Sequence, residues 1–445
     1  MKGVLIVAIG AQRWRWRAVT AILAGVTILA LLAQLFTVLV LEQRHVAARR
    51  RVRTGLEVLL TDRLDLIRGK RVGIITNPTG VLPDLRHGVD ALATAEGVHL
   101  VAIFGPEHGF RGSAQAGGSE GSYVDERTGV PVYDLYGKNR DAIAQLFQNT
   151  GVEVVLFDIQ DVGTRYYTYI WTMADALEAA ALTGTEFIVL DRPNPTGGIQ
   201  AEGPVLHPEY SSFVGRYPIA QRHGMTVGEL ALLFNDRFVP DRTGGRRAQL
   251  TVIPMQGWFR DMYYEETGLP WVMPSPNMPT VDTAMAYIGM GLMEGTNLSE
   301  GRGTTRPFEL IGAPYIDWRL GQRLAHAKLP GVRFREAYFA PTFSKYAGRT
   351  IGGIQLYVTD RDQFDPIRTA ITIIVETKRL YGDRFQWRSD LWIDRLTGST
   401  QVRTAVDAGQ SPDAIVAGWQ DELAGFRVLR DQYLLYGLRG NGRYR

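Results

Sequence analysis

What most constrains this chain is a fourfold recurrence: a short, wholly apolar run that breaks into polar residues and turn formers. Val72-Gly73-Ile74-Ile75 opens into Thr76-Asn77-Pro78-Thr79-Gly80, and Val101-Ala102-Ile103-Phe104 into Gly105-Pro106-Glu107-His108. Val154-Val155-Leu156-Phe157 opens into Asp158-Ile159-Gln160-Asp161, and Phe187-Ile188-Val189-Leu190 into Asp191-Arg192-Pro193-Asn194. Continuous apolar runs of this length read as strands buried on both faces, the condition of a parallel sheet covered by helices. Segments with helical spacing separate them, at residues 88–96, 141–149 and 170–183. Strand alternating with helix argues an α/β fold. Ligands of open parallel sheets sit beyond the carboxyl ends of the strands, so the four polar clusters are expected along one edge, with Glu107 and His108 at the mouth of a cleft.

The alternation weakens after Pro195. From about residue 206 Pro and Gly thicken, and helices at 227–235, 367–380 and 412–429 mix with strands at 250–253 and 354–358. That mixture reads as α+β, and the expected organisation is a flanking segment over 1–53, a catalytic α/β domain over 54–205, and an α+β domain over 206–445 that completes the cleft. The glycine-rich insertion at 112–129 reads as a mobile loop. It lacks the spacing of a phosphate-binding loop, and no G-x-G-x-x-G opens a helix, so a nucleotide site is disfavoured and no cofactor is expected.

Residues 1–53 carry nine Lys/Arg against one Glu, so the remainder of this +3 chain stands at −5. A mildly acidic body gives no nucleic-acid-binding face. Within the basic flanks, residues 18–41 are 24 residues without a charge, long enough to span a hydrocarbon core of about 30 Å. An uncleaved transmembrane helix is the first expectation, with secretion after signal cleavage as the alternative. The charges on its two sides do not set an orientation. There is no Cys, which removes disulfides, thiolate metal sites and a cysteine nucleophile.

Several longer motifs, taken in order, carry a resemblance. They are Gly105-Pro106-Glu107-His108-Gly109-Phe110-Arg111-Gly112, then Asp158-Ile159-Gln160-Asp161-Val162-Gly163-Thr164-Arg165, then Asp191-Arg192-Pro193-Asn194-Pro195. His223-Gly224-Met225-Thr226-Val227-Gly228-Glu229, Pro274-Ser275-Pro276-Asn277-Met278-Pro279 and Glu294-Gly295-Thr296-Asn297-Leu298-Ser299-Glu300-Gly301-Arg302 come after them. From residue 55 onward the chain resembles the exo-β-N-acetylmuramidases of the NamZ (YbbC-like) family. The resemblance implies a Rossmann-like N-terminal domain, a smaller C-terminal domain and an active site between them. It implies a glycosidase that removes terminal N-acetylmuramic acid from the non-reducing ends of peptidoglycan fragments, in cell-wall turnover and recycling. Members are exported or lipid-anchored, so the catalytic part is expected outside the cytoplasm.

Breaking a glycoside requires an acid for the leaving oxygen and a group that stabilises or traps the oxocarbenium-like centre. Glu107 is the expected acid, with His108 beside it. Asp158, Asp161 and Glu294 are candidates for the second group, and an N-acetylated substrate also permits attack by its own acetamido oxygen. Muramic acid bears a lactyl carboxylate, which calls for an arginine fork. Arg111, Arg165, Arg192 and Arg302 are the candidates, each with a salt bridge to a neighbouring carboxylate as its structural alternative. Tyr167 is a candidate sugar-stacking face or a core residue, and Asn277 and Asn297 are candidate hydrogen-bonding partners or turn formers. Two other function classes compete: a non-catalytic sugar- or muropeptide-binding protein on the same cleft, and a metal-dependent hydrolase. The seven His show no H-x-H or H-E-x-x-H spacing, which argues against the metal.

Overall fold

The computed structural model describes residues 51–439, with Gln34 and Phe36 besides. The apolar run at 18–41, read as a membrane helix, lies outside the described residues apart from those two. Among the described residues no helix is long and apolar enough to cross a membrane.

The four apolar runs form strands β1 (Arg71–Thr76), β2 (His99–Gly105), β5 (Val154–Asp158) and β6 (Glu186–Leu190), joined by β3 (Tyr123–Val124), β4 (Pro131–Asp134) and β9 (Gln249–Ile253). They make one seven-stranded sheet in the order β3-β4-β2-β1-β5-β6-β9. All neighbours are parallel except the edge pair of β3 and β4. The sheet grows outward from β1 in one direction through β2 and β4, and in the other through β5, β6 and β9. Its switch point therefore lies between β1 and β5. Strand β5 is buried at all five positions, as a strand covered by helices on both faces must be.

The expected boundary at residue 206 is corrected by β9. It pairs in parallel with β6 from Glu186 opposite Gln249 to Leu190 opposite Ile253, so the sheet continues well past that point. The Pro and Gly density there marks a long excursion within the domain: a hairpin of β7 (Glu202–Val205) and β8 (Ala220–Arg222), then the helix Val227–Arg237. The motif around His223 supplies the start of that helix. Thr226 caps it and Glu229 returns a hydrogen bond to the cap, the reciprocal arrangement a Thr-x-x-Glu sequence encodes.

The second part of the chain contributes a three-stranded antiparallel sheet, β10 (Leu310–Ala313), β12 (Ile351–Val358) and β11 (Val332–Phe339), with β12 in the middle. Helix Pro366–Tyr381 packs beside helix Val281–Met290. At their closest approach a Cβ on Gly289 would sit 1.8 Å from the Pro366 carbonyl oxygen, so only glycine permits that spacing.

The described residues from Val52 onward pack as one unit, and one hydrophobic core runs from the parallel sheet into the second part. Its axis is helix Tyr169–Thr183, where Trp171, Ala174, Leu177 and Ala180 are all buried. Apart from Asp175 and Glu178, which pair with Arg216, the helix is apolar over most of its surface, as a helix inside a fold must be. Trp171 stacks on Phe234 and donates its indole N–H to the Arg165 carbonyl at 2.7 Å. A segment far along the chain returns to the first sheet. Leu435 N–H donates to Glu229, the Tyr436 hydroxyl donates to Asp191 at 2.5 Å, and the Tyr436 ring stands edge-on against Trp258.

Candidate active site

Beyond the carboxyl ends of β2, β4 and β5 lies a cavity of about 540 Å³. One wall comes from the turns after those strands and carries Glu107, His108, Tyr136 and Thr168. The facing residues Glu294, Glu300, Arg302, Lys345, Arg388 and Trp392 come from the second part of the chain. Tyr166, Tyr167, Tyr287 and Phe308 line it between these groups.

Strand β2 ends at Gly105, and Pro106 forces the turn that lifts Glu107 out of the sheet. Glu107 is half-buried, and both its oxygens are fixed. Oε1 accepts the Gly117 amide at 2.8 Å, and Oε2 accepts the Thr168 hydroxyl at 2.7 Å. Next to it His108 is buried and holds a left-handed backbone, φ 71°, a conformation that costs a side chain with a Cβ. Its Nδ1 lies 2.8 Å from the Ala114 carbonyl oxygen. A carbonyl only accepts, so Nδ1 carries the proton, and Nε2 makes no protein hydrogen bond among the described residues.

The insertion at 112–129, expected to be mobile, is pinned instead. Glu120 accepts from the Arg111 and Ser113 amides and the Ser113 and Tyr123 hydroxyls. Asp125 accepts from Arg111 at 2.5 Å. Burial alone would raise Glu120, but the Ser113 and Arg111 donors outweigh it and its pKa is lowered. Only glycine fits at position 109, where a Cβ would lie 2.3 Å from the Glu120 side chain. The many glycines supply left-handed turns, as at Gly112 and Gly117. They deliver Gly117 to Glu107 and bring Gln115 to 3.4 Å from Asn277.

On the facing wall Arg302 donates to Glu294 at 2.7 Å and lies 3.4 Å from Glu300. Burial would lower Arg302, but the charges of Glu294 and Glu300 raise it above its ordinary value. Lys345 directs its three protons to the Met293 and Leu298 carbonyls and to Glu300. Aromatic hydroxyls around the cavity are shifted upward. Burial, with Glu107 and Asp134 nearby, raises Tyr136, and burial raises Tyr166, Tyr167, Tyr169 and Tyr287 further. They stay neutral and serve as faces and hydrogen-bonding groups.

Of the residues singled out from the sequence, Glu107, His108, Tyr167, Asn277, Glu294 and Arg302 line this cavity; the others do not. Asp158 is fully buried and holds Arg192 in a two-bond fork at 2.6 and 2.9 Å. Arg192 borders, with Thr79 and Gln160 from the turns after β1 and β5, a pocket of only about 10 Å³. Asp161 is buried with one oxygen accepting the Gly163 amide, and it faces His223 at 3.3 Å. Arg165 is fully buried and donates to the carbonyls of Pro204, Ile219 and Leu396. Burial pushes it down to about 9, still charged at neutral pH. Arg111 lies over the Phe110 ring and pairs with Asp125. Asn297 ties Arg384, Gln386 and Tyr315 together. These side chains satisfy buried charge and backbone, so the strand-end position that nominated them serves the scaffold. Tyr136, Thr168, Lys345, Arg388 and Trp392 were missed. Thr168 adjoins the tyrosine run 166–167, while the others lie in stretches with no local chemical pattern.

A carboxylate held by neutral donors on one wall, a second carboxylate facing it beside cations, and aromatic faces between them are the equipment of a glycoside hydrolase. The family models described as exo-beta-N-acetylmuramidase NamZ, N-terminal and C-terminal, match residues 72–282 and 285–436. The chain belongs to this family. It is 50% identical over 395 residues to the peptidoglycan beta-N-acetylmuramidase NamZ of Bacillus subtilis (strain 168), covering 88% of this chain and 94% of that protein. Two crystal structures of DUF1343 family proteins from Bacteroides fragilis NCTC 9343 are similar. One is 36% identical with a TM-score of 0.79 and the other 30% identical with 0.69, each over 87% of this chain and 99% of its own.

Proposed function

We propose that this chain is an exo-acting β-N-acetylmuramidase that releases terminal N-acetylmuramic acid from the non-reducing ends of peptidoglycan fragments, in cell-wall turnover and recycling. The observation that carries the reading is Glu107, fixed by Gly117 and Thr168 on the wall of a sugar-sized cavity. In its protonated form Glu107 gives its proton to the glycosidic oxygen as that oxygen's bond to the anomeric carbon breaks, and a water molecule then adds to the anomeric carbon and returns a proton to the carboxylate. Glu294, next to Arg302, is the second carboxylate and stabilises the positive charge that develops on the ring. His108 holds the turn that presents Glu107, and Tyr167 and Asn277 meet the sugar.

The domain built on the parallel sheet is Rossmann-like in this reading, with its ligand shifted from the β1/β5 crevice toward β2 and β4. The apolar run at 18–41 anchors the chain in a membrane with the catalytic part outside the cytoplasm. Fractionation with and without residues 1–53 tests that, and a soluble full-length chain refutes it. The activity is tested by digesting peptidoglycan fragments and identifying the released sugar. Free N-acetylmuramic acid appearing from the first minutes is the expected result, and binding without release would leave only a muropeptide-binding role.

A further inference from the structure

Three carboxylates and three cations line the cavity: Glu107, Glu294 and Glu300 against Arg302, Lys345 and Arg388. Four of them close on one another, since Arg302 is held by Glu294 and Glu300 and Lys345 by Glu300. That leaves Glu107, bound only by neutral donors, and Arg388. Arg388 uses a single Nη2 bond to Asp390 at 2.7 Å, and Asp390 is not among the residues lining the cavity. Its Nε and Nη1 groups make no protein hydrogen bond among the described residues.

The guanidinium is also held in place. It lies over the Trp392 ring, 5.2 Å from the centroid, an arrangement that suits arginine and no other cation as well. Asp390, which orients it, accepts the Trp392 amide. The Arg388 backbone N–H donates to the Gly295 carbonyl at 2.9 Å, directly beside Glu294. At 44% exposed it remains open to an anion, where Arg302 and Lys345 are already neutralised.

Resting on the muramidase reading above, we propose that Arg388 is the subsite for the lactyl carboxylate of N-acetylmuramic acid, and that it selects this sugar over N-acetylglucosamine. A fork of free N–H groups matches a carboxylate by two parallel bonds. The sugar without the lactyl group offers the arginine nothing.

The experiment uses the full chain and three 4-nitrophenyl β-glycosides: of N-acetylmuramic acid, of its lactyl methyl ester, and of N-acetylglucosamine. The wild type is expected to prefer the free acid to the ester. In Arg388→Gln, kcat/KM on the free acid is expected to fall about 10–100-fold, as the loss of a charged hydrogen-bonded contact does. The loss should sit mainly in KM, and the other two substrates should be unaffected. Arg388→Lys keeps a charge without the fork and should recover only part of the loss. It also keeps the test decisive if the glutamine variant does not fold. Equal losses on all three substrates, or a preference for the acid that survives both variants, would overturn the assignment while leaving the muramidase reading intact. A wild type that cleaves neither muramic acid glycoside would sink that reading itself.

Discussion

Replacing Glu107 with Gln changes one atom and separates folding from chemistry. The new side chain keeps an oxygen to accept the Gly117 amide. Its NH2 group then faces Thr168, whose hydroxyl rotates from donor to acceptor. Two bonds to a charged acceptor become two neutral ones and none is left unmade, so stability should change by less than about 3 kcal/mol. Turnover should fall further. A positioned acid contributes about 10²–10⁴-fold, or ~2.7–5.4 kcal/mol of barrier, and the amide supplies no comparable proton. The assay compares two leaving groups: the N-acetylmuramyl-N-acetylglucosamine disaccharide, whose leaving sugar oxygen needs a proton, and the 4-nitrophenyl glycoside, whose phenolate departs with little help. Glu107→Gln should lose most of its rate on the disaccharide and distinctly less on the aryl glycoside, and should still melt as a folded protein. An identical loss on both substrates would show that Glu107 does something other than protonate the leaving oxygen.

Other expectations rest on the same geometry. Arg192→Ala strands the fully buried Asp158 carboxylate and should cost about 3–5 kcal/mol in denaturant unfolding, whereas adding Asp158→Asn should restore part of it; a loss below about 1 kcal/mol, the worth of an exposed pair, would refute the burial argument. Glu120 has a lowered folded pKa, so its contribution is present above its ordinary value of 4.5 and disappears as pH falls below it. Activity should therefore drop reversibly in acid as the 112–129 loop loosens; a profile identical in Glu120→Gln would disprove this. Phe213, 44% exposed and edge-on to Tyr136 at 5.8 Å, lines the same cavity as Glu107 and offers a stacking face to the leaving sugar. Phe213→Ala should raise KM for the disaccharide about 2–10-fold through lost stacking and leave the aryl glycoside unaffected.

The strands and long helices were legible because burial on both faces requires unbroken apolar runs, and β6 and helix Tyr169–Thr183 fall where the pattern puts them. Glu107 and His108 were legible for a related reason: Gly-Pro stops a strand and turns the next two side chains out of the sheet. The same logic overreached at Asp158, Asp161 and Arg192. A polar residue after a strand can point into the cleft or fold back over the sheet to meet another, and local sequence does not distinguish the two. Arg388 and Trp392 were invisible because nothing nearby in sequence marks them; the backbone bond to Gly295 brings them to the site across about ninety residues of chain. The boundary at 206 failed because composition reports a change of surface, while strand pairing decides which layer β9 joins.

The return of Tyr436 to Asp191, with Arg165 reaching Leu396 in the opposite direction, means that the two family regions are not modules. Grafting residues 285–436 from one relative onto 72–282 of another would leave Asp191 and Glu229, neither of which lines the cavity, facing foreign partners. Anyone redesigning this enzyme's selectivity should exchange the cavity-facing segments around 294–302 and 388–392 and keep the native clasp.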